Sequence, residues 1–214
     1  MIIFWDNELK IKLKIQEWNV VVGDTGIGKS YILEHYSNFL KKKKIPFSFI
    51  QQEPFLYNDS IRNNIFLGLT ETKEKAAFVR DCIEMFALDQ LDESVDKVLD
   101  MEVGENGTKL SGGQAKRVAL IRSLVCDVDF ILWDDPFSSV DLILEKQILD
   151  KIKSLEFLKN KTFILTSHRV STVRSCDWLI FVEKENLEPY MDNTKVIFND
   201  GDNKVSEYFR KQLV

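Results

Sequence analysis

The sequence predicts an α/β domain built on a mainly parallel sheet and interrupted by a helical lobe. Short apolar runs of strand length recur along the chain, and stretches with helical spacing separate them. Between the second clear run and the third lies a long segment with few strand signals. Strands alternating with helices imply right-handed crossovers and a parallel sheet. With 214 residues, 44% of them hydrophobic and 29% charged, the chain can bury one core under a solvated surface.

The elements follow in order. Lys10 to Ile15 alternates charged and apolar residues, as a half-buried strand does. Trp18 to Val22 is an apolar run ending at Gly23 and reads as a buried strand. Ser30 to Leu40 spaces Ile32, Leu33, Tyr36 and Phe39 as a helix does, and Phe47 to Ile50 is a second strand. From about residue 56 to residue 126 the chain turns helical, with Ala76, Ala77, Val79, Ile83, Phe86 and Leu88 at helix-like intervals. Strands return at Phe130 to Trp133, Thr162 to Thr166 and Trp178 to Val182. No repeat or low-complexity linker divides the chain, so residues 1–214 read as one domain with the helical lobe inserted.

Charge and composition narrow the partners. The net charge of −5 gives no support to general binding of nucleic acid or anionic lipid. The one basic run, Lys41 to Lys44, reads as a solvated helix end, the alternative being a patch facing a membrane or partner. No uncharged run exceeds the eight residues of Ile45 to Gln52, far below the roughly 20 that span a bilayer. Met1 to Asn7 lacks the pattern of a signal peptide. Cys82, Cys126 and Cys176 are scattered, with no metal-binding spacing, which suits a reducing cytoplasm.

Two motifs carry chemistry. Gly23-Asp24-Thr25-Gly26-Ile27-Gly28-Lys29-Ser30 fits GxxxxGK[ST] in full, between a strand and a helix. Its glycines let the backbone curl so that successive N–H groups face phosphate oxygens, and the helix N-terminus adds its positive end. Lys29 is then placed for the β- and γ-phosphates, and the Ser30 hydroxyl for Mg²⁺. The apolar strand Phe130 to Trp133 runs into Asp134 and Asp135. Asp134 at the strand end can hold Mg²⁺ through water, opposite Ser30, and Asp135 can orient or deprotonate an attacking water. Without the first motif, both carboxylates would read equally well as caps of the turn before Pro136.

Leu110-Ser111-Gly112-Gly113-Gln114, standing between these two motifs, makes the chain resemble the ATP-binding cassette (ABC) family over nearly its whole length. The resemblance implies a P-loop NTPase fold of the ABC-ATPase kind, with the inserted helical lobe and a small antiparallel β portion. It implies ATP and Mg²⁺ as cofactors and a second cassette as partner, in a homo- or heterodimer. Ser111, Gly112, Gly113 and Gln114 would meet the γ-phosphate of ATP bound on the other protomer, from the start of a helix running from about Gln114 to Val125. Gln52 is similar to the Q-loop glutamine that touches Mg²⁺ or the attacking water. Ser138 to Asp141 resembles the D-loop, and His168 the switch histidine at the γ-phosphate. Trp5 is the candidate to stack on adenine, with Phe4 second; a place in the core is the competing role for Trp5. Glu102 to Gly107 and Pro54 to Tyr57 resemble segments of exporter cassettes, closest to the multidrug-resistance and conductance-regulator branch.

Two departures from the family pattern qualify the expectation. Asp135 stands where the family carries glutamate, which withdraws the carboxylate by about 1–1.5 Å and predicts slow turnover. A membrane domain is missing, so the resemblance implies either a transmembrane permease domain on a separate chain, with this chain at the cytoplasmic face of a membrane, or an excised or free-standing cassette. The expected function is therefore the ATP-hydrolysing subunit of an exporter. The alternative is a slowly hydrolysing cassette that serves as an ATP-gated dimerisation module. A soluble mechanochemical role on DNA or ribosomes fits poorly with an acidic chain that lacks a coiled-coil insertion.

Overall fold

The computed structural model describes residues 3–6, 9–184, 188–199 and 203–212. The chain opens with an antiparallel pair, β1 (Ile3–Asp6) and β2 (Ile11–Lys14). It continues through β3 (Trp18–Gly23), α1 (Lys29–Lys42) and β4 (Phe47–Ile50). Four helices follow: α2 (Ile61–Ile65), α3 (Lys73–Met85), α4 (Val95–Asp100) and α5 (Gly112–Val125). The second half holds β5 (Phe130–Trp133), α6 (Leu142–Ser154), β6 (Thr162–Thr166), α7 (Val170–Ser175) and β7 (Trp178–Val182). It ends with β8 (Tyr190–Asn193), α8 (Thr194–Asn199) and α9 (Lys204–Gln212).

Among the described residues the main sheet has the order β4-β5-β6-β3-β7-β8, parallel except for the antiparallel β7–β8 edge. The helices α2 to α5 fall between β4 and β5, where the sequence loses its strand signals. The strand register explains why the central strands are continuous apolar runs. In β3, Val20 and Val22 enter one core and Val21 the other, and all three are 0% exposed. β5 divides in the same way, with Ile131 and Trp133 on one face and Leu132 on the opposite one. A strand covered on both faces has no polar alternation to show.

One core is closed by α1 and β2, through Ile32, Leu33, Tyr36, Ile11 and Leu13. Helices α2 to α6 close the other core. Its centre is aromatic: Trp18 stacks on Phe163 at 3.9 Å, and the buried Trp133 indole N–H donates to Ser123 Oγ at 2.8 Å. Helix α5 is buried nearly all round, including Lys116 and Ser123, as expected of a helix between two layers. Ser60, Thr72, Ser94, Ser111 and Asp141 cap the helices that follow them, each cap worth about 1 kcal/mol. Lys41 to Lys44 are exposed where α1 ends, the place at which cations complement the helix dipole. Among the described residues no helix is long and apolar enough to cross a membrane.

The order β4-β5-β6-β3 places four C-terminal strand ends side by side. Gln52 follows β4, Asp134 follows β5, His168 follows β6, and the glycine-rich loop follows β3. The fold thus gathers residues that stand far apart in sequence along one edge of the sheet, where open α/β sheets bind ligands.

Candidate functional site

The glycine-rich loop is shaped by close backbone approach. A Cβ at Gly23 would lie 2.4 Å from the Val182 carbonyl oxygen, so only glycine lets β3 end beside β7. Gly28 stands at the N-cap of α1 with φ +100°, a conformation L side chains avoid. It offers no side-chain cap, and the first turn of α1 holds no acidic residue. The N–H groups of that turn and the positive end of a 14-residue helix therefore face outward, ready for an anion.

Lys29 folds back over the loop. Its Nζ donates to the carbonyl oxygens of Gly23 and Asp24, both at 2.8 Å, and the residue is 8% exposed. Burial lowers its pKa, and the charges of Asp135, Asp134 and Asp24 oppose that shift. The Gly23 carbonyl also accepts from the Tyr208 hydroxyl on α9 at 2.9 Å, so the far end of the chain braces the loop.

The carboxylates are held by Thr166, the last residue of β6. Its hydroxyl donates to Asp134 Oδ1 at 2.7 Å and accepts from the Asp135 N–H at 2.8 Å. The parallel register pairs Trp133 with Leu165, which sets Thr166 beside Asp134. The Asp134 N–H donates to the Ile50 carbonyl at 2.8 Å and continues the β4–β5 pairing past the strand ends. Asp135 takes φ +46°, a left-handed backbone that aspartate tolerates better than most residues. Thr166 stands in no motif of the sequence; a hydroxyl residue ending the strand next to the one that carries the expected metal-binding carboxylate is the signal for it.

His168 follows β6 on the same edge. Burial lowers its pKa, the neighbouring Lys29 charge lowers it further, and Asp135, Asp24 and Asp134 act the other way. The imidazole is therefore neutral at pH 7 and can both donate and accept. In the nucleotide-free chain it is expected to titrate below its ordinary 6.5. A triphosphate bound beside it favours the imidazolium and moves the midpoint up. A ¹H–¹⁵N titration with and without nucleotide checks both directions, and a midpoint above 6.5 without nucleotide contradicts the placement.

The residue after it is anchored by a buried charge. Arg169 donates to the carbonyls of Val140 at 2.6 Å and Ser138 at 3.2 Å, and to Glu145 Oε2 at 2.7 Å. Glu145 is 0% exposed and also accepts from Ser171 at 2.7 Å and Thr172 at 2.5 Å. The segment of residues 138–141 is thus tied to the segment carrying His168. Neither partner had a role in the sequence reading, because a glutamate in α6 looks like part of a solvated face.

Thr25, Gly26, Gly28, Lys29, Ser30, Gln52, Asp134, Asp135, Thr166 and His168 line one hollow of about 240 Å³. One side offers an ammonium, backbone N–H groups and a helix N-terminus; the other offers carboxylate and hydroxyl oxygens. That donor set fits a polyphosphate with a small hard cation, which binds through one or two carboxylates, a hydroxyl and phosphate oxygens.

Ser111, Gly112, Gly113 and Gln114 do not line that hollow. Ser111 caps α5, accepting from the Gln114 N–H at 3.2 Å, while the Ser111 N–H donates to Gln114 Oε1 at 2.7 Å. Gly113 packs on the 138–141 segment, where a Cβ would lie 3.0 Å from the Ser139 carbonyl oxygen. Gly112 opens on a separate hollow of about 570 Å³, shared with Gln52, Glu53, Lys116, Ser138 and Ser139. The side chains of Phe4 and Trp5 lie outside the described residues.

Comparison with known proteins places the chain in a family and matches its fold. The family described as "ABC transporter" matches residues 7–138. An "ATP-dependent lipid A-core flippase 1" of Colwellia psychrerythraea is 30% identical over 214 residues, covering 91% of this chain and 35% of the relative. An "ATP-dependent lipid A-core flippase" of Wigglesworthia glossinidia brevipalpis is 28% identical over 228 residues, covering 96% of this chain and 38% of the relative. The chain thus spans little more than a third of the length of these relatives. Among solved structures, a bacterial Atm1-family ABC exporter with ATP bound superimposes with a TM-score of 0.81 at 23% identity, over 100% of this chain and 41% of that one. The likeness covers the whole mixed sheet and its helices.

Proposed function

The chain belongs to the ABC transporter family, and on that premise we propose that it is the MgATP-binding and ATP-hydrolysing cassette of an exporter. One observation carries the reading: the neighbouring ends of β4, β5, β6 and β3 bring Gln52, Asp134, Asp135, His168 and Lys29 to a single hollow. The names of the similar flippases support the exporter assignment.

In this reading the loop from Gly23 to Ser30 cradles the phosphates, with Lys29 turning from the Gly23 and Asp24 carbonyls to the β- and γ-phosphates. Ser30, Gln52 and Asp134 would hold Mg²⁺, which would supply neutralisation of phosphate charge. Asp135 orients the attacking water and accepts its proton, and His168 supports the γ-phosphate. Turnover is slow, because the Asp135 carboxylate is one methylene short of the family's glutamate. Trp5 is proposed for the adenine.

The signature residues Ser111 to Gln114 complete the site of a second cassette, since on their own chain they lie outside the phosphate hollow. ATP therefore joins two cassettes, and their closure drives a transmembrane permease domain at the cytoplasmic face of a membrane. Sedimentation of the Asp135→Asn variant, in which bound ATP persists, tests this. MgATP is expected to convert monomer to dimer and ADP is not. A chain that binds MgATP and stays monomeric at every concentration contradicts the shared site.

A further inference from the structure

Lys116 lies in the second turn of α5, the helix that begins at the signature residues. An ammonium has three donors and no acceptor, and burying it is costly unless those donors are used. Here the residue is 3% exposed. Its Nζ donates to the backbone carbonyl of Asp135 at 2.7 Å and to Ser138 Oγ at 3.0 Å. Ser138 Oγ in turn donates to the same carbonyl at 3.2 Å. Burial lowers the pKa of this lysine, and Asp135, Asp134 and Glu53 act against that shift.

The carbonyl that receives this charge belongs to the residue assigned as base. Its left-handed φ of +46° is a conformation that surrounding structure has to hold. Thr166 Oγ1 on β6 takes the Asp135 N–H; the Asp135 carbonyl accepts the shortest of its bonds from Lys116 on α5, beside longer ones from the Ser138 hydroxyl and N–H. With both ends of the residue fixed, φ and ψ are fixed, and so is the direction of the Cα–Cβ bond that carries the carboxylate. A charge-assisted hydrogen bond is about twice as strong as a neutral one, which suits a clamp on a strained residue.

We propose that Lys116 is a positioning residue for ATP hydrolysis: from the signature helix, its ammonium locks the Asp135 backbone and so aims the carboxylate at the attacking water. This rests on Asp135 being the base. Nothing in the arrangement asks Lys116 to touch nucleotide, so it affects the chemical step and not ATP affinity.

The test is ATP hydrolysis by the full chain carrying Lys116→Met, with ATP affinity measured separately by equilibrium dialysis and folding by thermal melt. Lys116→Met is expected to lower kcat by about tenfold or more, since misplacement of a reacting group by about 1 Å can cost on the order of 100-fold. The Kd for ATP is expected to stay within about twofold of native. Lys116→Gln, a shorter neutral donor, is expected to fall between the two. A native kcat in Lys116→Met overturns the proposal, as does an equal loss of kcat and affinity. Should Lys116→Met not fold, a native kcat in Lys116→Gln overturns it. Asp135→Asn, assayed alongside, separates the two claims. Native turnover there removes the base and the positioning role with it. An inactive Asp135→Asn beside a fully active Lys116→Met removes the positioning role alone.

Discussion

Lys29→Ala is expected to abolish ATP turnover while leaving the chain folded. The ammonium is the one cation that lines the hollow beside Asp134, Asp135 and His168 among the described residues. It is partly withdrawn from water, so its interaction with a phosphate is stronger than at an open surface. Removing one preorganised donor from a developing charge costs about 10²- to 10³-fold in kcat. Losing a full positive charge next to a triphosphate also weakens binding. The fold has little at stake. Without Lys29 the Gly23 carbonyl still accepts from Tyr208, and Asp24 is exposed, so its carbonyl has water at hand. We therefore expect a loss of at least about 100-fold in kcat/KM for ATP, with a nearly unchanged thermal midpoint. Turnover within tenfold of native contradicts the placement of Lys29 at the phosphates.

Asp135 gives the second large effect, and its sign depends on the substituent. Asp135→Asn keeps the size of the side chain but cannot accept a proton as carboxylate does, and turnover is expected to fall by about 10²-fold or more. Asp135→Glu extends the carboxylate by one methylene, toward where the family carries it. Since about 1 Å of misplacement can cost on the order of 100-fold, this variant is expected to turn over about tenfold faster or better. It also carries a cost. Aspartate tolerates φ +46° better than glutamate does, so Asp135→Glu is expected to lower stability by about 1 kcal/mol. Steady-state kinetics beside a denaturant melt separates the two effects. Equal turnover in the native chain and both variants contradicts a role for Asp135 in water activation.

The sequence shows the parts of this molecule whose signal is local. The strands β3, β5, β6 and β7 are apolar runs because they are covered on both faces, and the glycine-rich loop is a contiguous string. The edge strand β8 (Tyr-Met-Asp-Asn) carries no such run. The clamps around the site were hidden because each joins residues far apart. Lys116 reaches Asp135 across 19 positions, Thr166 reaches Asp134 across 32, and Tyr208 reaches Gly23 across 185. No periodicity encodes such pairs; they exist only once the strand order is fixed. Helix α5 begins at Gly112, two residues before the predicted start, because its cap is Ser111 and the glycines form its first turn. Gln114 shows a further limit. Its side chain closes a capping box with Ser111, the capped helix start that the motif offers as the plain alternative to a phosphate-contacting loop, and one chain alone does not separate the two uses.

The most direct test of the central claim is ATP hydrolysis by the purified chain across a range of chain concentrations, with and without Mg²⁺. If two chains complete each site, turnover requires Mg²⁺, disappears on chelation, and rises more steeply than in proportion to chain concentration. A rate strictly proportional to concentration at dilutions where sedimentation shows monomer, or a chain that neither binds nor hydrolyses MgATP, contradicts the account.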